Sequence, residues 1–346
     1  MTPQSPFTVV AEVAEGREAS LRLLLDTMNA RPGMANPDNG LVPFSVFERL
    51  HFARFALLDD ATTADLEVFD LPRPKVPPLC LAFVGECDGP ADEQLEELAN
   101  KAGPGLRRIF SHCKDFDGAN SARLLAWLKA RDLPVGANYV NRIGRTVRQV
   151  HEESALQRLL SSSAPRGVLA DPRAVRRQLQ AHVKAERAAG RLTLTPPEAT
   201  PLDWRVRNWI HLVGVPLAGL VLLPIAIVVA PFAIFVLRSQ EESDPEFYPR
   251  PGAAEVLAMQ RLEDHDVSNS FTALGAVKPG WFRRALIPVV LLAIDYAARH
   301  VFGKGHLARI QSIHFARWVF MDDRQRVLFC SNYDGSHESY MDDFVN

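Results

Sequence analysis

Apolar and polar positions alternate in the same way near the two ends of the chain. Residues 7–13 have the period of a strand, and residues 17–29 place their leucines on one helical face. Near the other end, SFTALGAV (270–277) and the apolar stretch 281–302 predict a strand and a helix in the same order. Each half then continues with two more strand-like runs and a polar helix-like segment. The pattern therefore predicts β-α-β-β-α twice.

The second predicted strand of each half has nearly the same sequence, which shows that the two halves are repeats. Residues 51–60 read HFARFALLDD and residues 314–323 read HFARWVFMDD. Each copy is followed by an apolar run that ends in Asp-Gly, at Asp88 and at Asp334. Two such units are most of two tandem ferredoxin-like repeats, which predicts an α+β fold. We expect 51–58 and 314–321 to be equivalent central strands.

These patterns divide the chain into four parts. The first repeat covers 5–118, a helical, basic region with a Pro-rich linker covers 119–203, a membrane-embedded segment covers 204–240, and the second repeat covers 262–346. The extended segment that begins at Leu133 is a candidate fourth strand for the first repeat. No sequence remains for the last strand of the second repeat, so we expect a partner chain or a longer natural chain to complete it.

Residues 210–237 form an apolar run without a charged side chain. A continuous helix of this length would reach about 40 Å, more than the hydrocarbon core of a membrane requires. Pro216, Pro224 and Pro231 interrupt the run, and three topologies stay open: a hairpin in one leaflet, two spans that use 285–302 as the second, and a single span. Asp295, Arg299 and His300 disfavour a second span, since charges inside a membrane are costly.

Charge and cysteine content exclude several classes of function. The net charge of −2 provides no general field for nucleic acid, and four cysteines without CxxC spacing predict reduced thiols. The amino terminus lacks the pattern of a signal peptide, so we expect the repeats on the cytoplasmic side. A basic helix before the membrane segment would either bind anionic lipid or present its charged face to solvent. Walker, GxGxxG, GxSxG and HExxH motifs do not occur in the sequence.

The repeated residues supply candidates for chemistry. Arg54 and Arg317 each enter an otherwise apolar strand face and would point into the space between the repeats, or else pair locally with an Asp such as Asp59 or Asp322. Asp88 and Asp334 are candidate proton carriers, although Asp-Gly also suits turn geometry and capping.

His265 has carboxylates on both sides in the segment RLEDHDVSNS. Such surroundings would suit a base or a metal ligand. Side chains of neighbouring loop residues diverge, however, and the sequence places no second His or Cys at ligand spacing.

The doubled pattern resembles the dimeric α+β barrel superfamily, which includes the dye-decolorizing heme peroxidases. Gly85, Asp88 and Gly89 match the GxxDG motif of those peroxidases, whereas Ser331 replaces the first glycine in the second copy. The resemblance implies a ligand between the repeats, heme as cofactor and Asp88 as the catalytic acid-base. Arginines suit heme propionates, so Arg54 and Arg317 are candidates for that contact. His51, His265 and His314 are the candidate axial ligands.

The sequence thus predicts a membrane-associated oxidoreductase, peroxidase-like and heme-dependent, that acts on a hydrophobic or lipid-derived substrate between the repeats. The alternative is a membrane-anchored ligand-binding or scaffold protein without catalysis. Membrane lipid, a hydrophobic small molecule and a second copy or partner chain are the expected partners, and nucleic acid is not.

Overall fold

A computed structural model describes residues 1–59, 69, 78–163, 171–245, 252–263, 268–302 and 305–345. The chain is a mixed α+β protein with two main sheets, helices on their outer faces and one long apolar helix. Its strands are β1 Gln4–Glu12, β2 Asn29–Arg31, β3 Met34–Ala35, β4 Leu50–Leu58, β5 Cys80–Asp88, β6 Val135–Val140, β7 Asn269–Ala276, β8 Ile313–Met321 and β9 Arg326–Tyr333. Its helices are α1 Glu18–Asp26, α2 Ala91–Lys101, α3 Gly103–Phe110, α4 Ser121–Lys129, α5 Val147–Ser163, α6 Pro172–Ala188, α7 Leu202–Ser243, α8 Ala253–Gln260, α9 Trp281–His300 and α10 His337–Val345.

The two main sheets pair their strands in the same way. The first has the order β1-β5-β4, and the second has the order β6-β8-β9-β7. In the first sheet Gly85 pairs with Phe7 and Ala53, and in the second Ser331 pairs with Phe271 and Ala316. The two HFAR strands are therefore equivalent in register. The expectation of a central position is wrong for β4, which lies at the edge of its sheet.

Strand β6 joins the two sheets. The segment before it bonds to the first sheet, where the Leu133 N–H donates to the Thr8 carbonyl oxygen at 2.9 Å. From Val135 onward the chain pairs with β8 of the second sheet instead. The candidate fourth strand of the first repeat thus divides its pairing between the repeats.

Apolar side chains from both sheets fill the space between them. Leu58, Ala82 and Val84 of the first sheet form one cluster with Val319 and Leu328 of the second. Burial of this surface holds the two sheets face to face, since each buried aliphatic side chain contributes about 1.5–3 kcal/mol. These side chains therefore fill this part of the space between the repeats, where a ligand was expected.

Arg54 crosses from the first sheet to the second. Its Nη2 donates to the Phe271 carbonyl oxygen at 2.7 Å and to Thr272 Oγ1 at 2.9 Å, and its Nη1 lies 3.5 Å from Asn332 Oδ1. Local pairing with an Asp is thus not the contact that the described residues show for Arg54.

Arg317 makes the equivalent contacts in the opposite direction. Its Nη1 donates to the Phe7 carbonyl oxygen at 2.5 Å and to Thr8 Oγ1 at 3.1 Å. Its Nη2 lies 2.7 Å from Glu86 Oε1, at the position equivalent to Asn332. Both partners are almost completely buried; burial raises the pKa of Glu86, while the Arg317 guanidinium opposes that rise. Asp322 pairs with Arg326 instead, so the local alternative is wrong for Arg317.

Helix α7 is the described helix that is long and apolar enough to cross a membrane. Its helical hydrogen bonding continues through Pro216, Pro224 and Pro231, so these prolines, which were expected to interrupt the apolar run, do not end the helix. Its large apolar side chains are exposed along the whole length of the run. The described residues leave most of this apolar surface uncovered, which indicates association with a membrane.

Other boundaries differ from the predicted ones. The spacing of Arg142, Arg145 and Arg148 predicts one face of a helix over 142–160. This is wrong for Arg142 and Arg145, because helix α5 begins at Val147. The Pro- and Gly-rich segment 31–43 predicts a loop, and it contains β3, which pairs with β2. Gly103 predicts the end of α2, which does end at Lys101, but Gly103 also begins α3.

Candidate functional site: two histidine–aspartate pairs at one cavity

A β-bulge aims a histidine out of each HFAR strand. In β4 the register shifts between Leu50 and Phe52, and in β8 it shifts between Ile313 and Phe315. The residues inside these shifts are His51 and His314. Bulges re-aim a side chain and are over-represented next to active sites. The same irregularity thus presents an imidazole in both repeats.

His51 is paired with Asp88. The imidazole Nε2 lies 3.0 Å from Asp88 Oδ1, and the two side chains are 9% and 5% exposed. The other carboxylate oxygen accepts the Val147 N–H at 2.8 Å, at the first residue of helix α5. A carboxylate is stabilised by the N–H groups at a helix amino terminus. Asp88 therefore fixes the ring of His51 and itself caps α5.

His314 is paired with Asp334 in the same way but in a more open position. Its Nε2 lies 2.8 Å from Asp334 Oδ2, and the side chains are 34% and 59% exposed. Asp334 Oδ1 accepts the hydroxyl of Ser268 at 2.6 Å. The two pairs are thus equivalent in position and unequal in burial.

Aromatic rings bring the two pairs together. The His51 ring lies 5.3 Å from Phe315, and the His314 ring lies 6.1 Å from Phe52, measured between centroids. The two phenylalanines meet edge to face at 5.5 Å. Each histidine therefore contacts the phenylalanine of the other repeat, around a local pseudo-two-fold axis.

Both histidines line one cavity of about 1090 Å³. Its walls are partly apolar, with Phe44, Phe47 and Phe52 among the rings that face it. Two cations, Arg142 and Arg145, lie on the segment that leads into helix α5, and Arg145 pairs with Glu153. A cavity of this size, with apolar walls and a few convergent polar groups, has the character of a small-molecule site.

The predicted site residues separate into two groups. His51, His314 and Asp334 line the cavity, and Asp88 is buried against His51. Arg54 and Arg317 instead hold the sheets together and do not belong to the described lining of this cavity. His265 lies outside the described residues.

The structure adds site residues that sequence reasoning missed. Arg142 and Arg145 lie in the segment before α5 and line the cavity, whereas their spacing of three predicts only a shared helix face. Glu86 was not singled out, although a carboxylate inside the apolar run LCLAFVGECD was a signal that it required a buried cation.

The first glycine of the GxxDG motif has a packing role. A Cβ at Gly85 would overlap the Phe7 ring and lie 3.1 Å from the Phe52 carbonyl oxygen. Gly89 has φ +78°, a conformation that favours glycine, and its equivalent Gly335 has φ +88°. The motif is thus accounted for by the strand pairing and by the turn after each aspartate.

Among the described residues, Arg54, Arg317 and Asp88 do not fit the roles toward heme that the resemblance implies for them. The guanidinium groups of Arg54 and Arg317 are occupied by the facing sheet, and both oxygens of Asp88 have partners. The Nε2 atoms of His51 and His314 face carboxylates. We therefore derive no chemical step through heme.

Comparison with known proteins identifies no relative: no family model, no curated protein and no solved structure matches the chain. The site is accordingly interpreted from its own geometry.

Proposed function

We propose that this chain is a membrane-associated enzyme that carries out acid–base chemistry on a hydrophobic, lipid-derived anion in the cavity between its two repeats. The observation that carries the proposal is the buried His51–Asp88 pair, which a β-bulge aims at the cavity. The second pair, His314–Asp334, would contribute to binding, because it lies in the more open part of the site.

The proposed fold is a pair of ferredoxin-like repeats in the manner of a dimeric α+β barrel. Its support is the equivalent spatial order β1-β5-β4 and β7-β9-β8. In sequence, helix α1 lies between β1 and β4, and helix α9 lies between β7 and β8. The reciprocal contacts of Arg54 and Arg317 support the same pseudo-two-fold relation.

The role proposed for His51 is that of a general base. A carboxylate accepts hydrogen bonds only, so the neutral imidazole donates its Nε2–H to Asp88, and Nδ1 is left to take a proton from the substrate. The imidazolium formed in this step is stabilised by the Asp88 carboxylate. Asp88 thus has the role of orienting the ring and balancing its charge, and the ring is the group that meets the substrate.

The lining favours a ligand with an apolar body and a negative charge. Phe44, Phe47 and Phe52 suit an acyl chain or a ring system, and the Arg142 guanidinium suits a carboxylate or a phosphate. The cavity is also connected to the amino-terminal part of helix α7. Asn141, which lines the cavity, directly follows β6, and Asn138 of β6 bonds to Asp295 of helix α9. Helix α9 contacts the amino-terminal part of α7 through His300 and His211. A ligand supplied by the membrane fits this position.

A photoreactive fatty acid that carries a diazirine tests the binding step. We expect light to attach it to the rings around His51, and Arg142→Ala to lower labelling at limiting probe about tenfold, as for loss of a charge-assisted hydrogen bond. Arg148→Ala is the control, because Arg148 is exposed, pairs with Glu48 and is not among the residues that line the cavity. Labelling that maps elsewhere, or that is equal in both variants, would contradict the proposed ligand.

The non-enzymatic alternative differs in one measurable respect. If the probe attaches to the cavity and yet no bound lipid changes in mass on incubation with the wild-type protein, then the chain is a binding protein. Disappearance of one lipid and appearance of a product, both dependent on His51, support the enzyme.

Addition of hemin tests the cofactor prediction separately. Because the assigned residues are already engaged, we expect no stoichiometric Soret band when membrane-extracted protein is titrated with hemin. A one-to-one band that is lost in His51→Gln and kept in His112→Gln would restore heme as the cofactor and overturn this expectation.

A further inference from the structure

Both ends of the apolar helix α7 are attached to the same neighbouring helix, α9. Near its amino end, Asn208 Oδ1 accepts Arg299 Nε–H at 2.8 Å, and His211 Nδ1 lies 2.8 Å from His300 Nε2. His211 Nε2 also lies 3.5 Å from Asp295 Oδ2. Burial, followed by the neighbouring His211 and Arg299, lowers the pKa of His300, so its ring stays neutral and can share a hydrogen bond with His211. We call these contacts the amino-terminal clamp.

The carboxyl end of α7 is held by ion pairs. Asp244 Oδ2 lies 2.8 Å from Lys278 Nζ and 2.7 Å from Arg283 Nη2, and Glu241 Oε2 lies 2.8 Å from Lys278 Nζ. The Asp244 and Arg283 side chains are both largely buried. We call these contacts the carboxyl-terminal clamp.

Helix α9 in turn belongs to the second sheet. The Asn138 N–H of β6 donates to Asp295 Oδ1 at 3.0 Å. Gly136 of the same strand faces Leu291 so closely that a Cβ there would lie 2.9 Å from its methyl group. A helix bonded to a sheet in this way cannot cross a bilayer, and this disfavours the arrangement with 285–302 as a second span.

Helix lengths decide what α7 can do. Measured along its axis, α7 is about 54 Å long from Asn208 to Asp244, whereas Arg283 and Arg299 of α9 are about 24 Å apart. Because these two arginines hold the ends of α7, the helix must bend between the clamps. A single crossing would place the two ends of α7 on opposite sides of about 30 Å of hydrocarbon. Because both clamps connect to one helix that lies on one sheet, such a crossing would break at least one of them.

We infer that α7 is monotopic: it lies in one leaflet of a lipid bilayer, and both of its ends remain on the side that holds the sheets. The occupant of its apolar surface is the acyl region of that leaflet, since residues 210–237 contain no Asp, Glu, Lys or Arg and most of their large apolar side chains are exposed. The outward side of α9 extends this surface through Val289 and Leu292, and Trp281 lies at its edge. Trp and basic side chains that flank the run, such as Trp204 and Arg205, suit the interface.

This inference rests on the membrane association in the proposed function, and labelling of single cysteines tests it. Arg205→Cys and Glu242→Cys place a thiol beside each clamp, and Glu96→Cys on helix α2 reports the side of the sheets. All three positions are exposed, whereas the four native cysteines are buried. In sealed vesicles we expect a membrane-impermeant maleimide to label all three positions or none. Labelling of 205 and 242 from opposite sides would overturn the monotopic topology.

A second measurement separates failure of the topology from failure of membrane association. Leu222→Asp with Ile225→Asp should release at least half of the protein from carbonate-washed membranes, while the exposed Leu23→Asp in α1 should release none. Wild-type protein that is soluble without detergent, and that forms disulfide dimers through Val228→Cys, would instead show that a second copy covers α7. That result would overturn the inference and would leave the cavity chemistry to be judged by its own test.

Discussion

Replacement of Arg317 by Met should lower the free energy of unfolding by about 3–5 kcal/mol, because it leaves the Glu86 carboxylate buried without its cation. The equivalent change Arg54→Met should cost about 1–3 kcal/mol, because the partners that it leaves are all neutral: the Phe271 carbonyl, the Thr272 hydroxyl and the Asn332 amide. The two arginines occupy equivalent positions, so they form a matched pair. Chemical denaturation in mild detergent, followed by tryptophan fluorescence, measures both.

A double variant separates the charge from the packing. Glu86→Gln should recover a substantial part of the stability lost in Arg317→Met, since it removes the unpaired charge and keeps the shape of the side chain. Equal losses for Arg54→Met and Arg317→Met, or no recovery in the double variant, would show that the buried ion pair is not the source of the difference.

Substitution of His51 should have the largest effect on activity. In nanodiscs supplied with a membrane lipid extract, His51→Gln should slow the formation of product about 10²–10⁴-fold, the range for loss of a general base. Asp88→Asn should slow it in the same range, because the amide no longer selects the tautomer with Nδ1 free. Product is followed by mass spectrometry in heavy water, in which a proton transfer to carbon leaves a deuterium label.

The control for this experiment is His112→Gln. His112 lies after helix α3 and bonds to main-chain carbonyls of that helix, away from the cavity. We expect it to keep the wild-type rate. A rate unchanged in His51→Gln, with photolabelling of the cavity intact, would remove His51 from catalysis and leave its pair with Asp88 a structural contact.

The sequence alone determined the elements that depend on local pattern. The HFAR repeat predicted two equivalent strands, and they pair in equivalent register. The uncharged run predicted an apolar helix, and α7 covers it. The α+β class followed from the alternation of strand and helix periods, since periodicity reports which face of an element is buried.

Only the tertiary structure decided which residues meet. For Arg54 and Arg317 the sequence left open a position between the repeats and a local pair with an Asp, and the structure shows contacts with the opposite sheet. A strand's period cannot tell whether a guanidinium meets a ligand, a neighbouring Asp or the main chain of that sheet. His51 and Asp88 were predicted as separate candidates, and their pairing depends on the register of β4 against β5 and on a bulge of one residue.

The change of β6 from one sheet to the other and the two clamps on α9 likewise depend on contacts between residues far apart in sequence. Such contacts are set by packing of whole elements, and the local pattern of side chains does not record them.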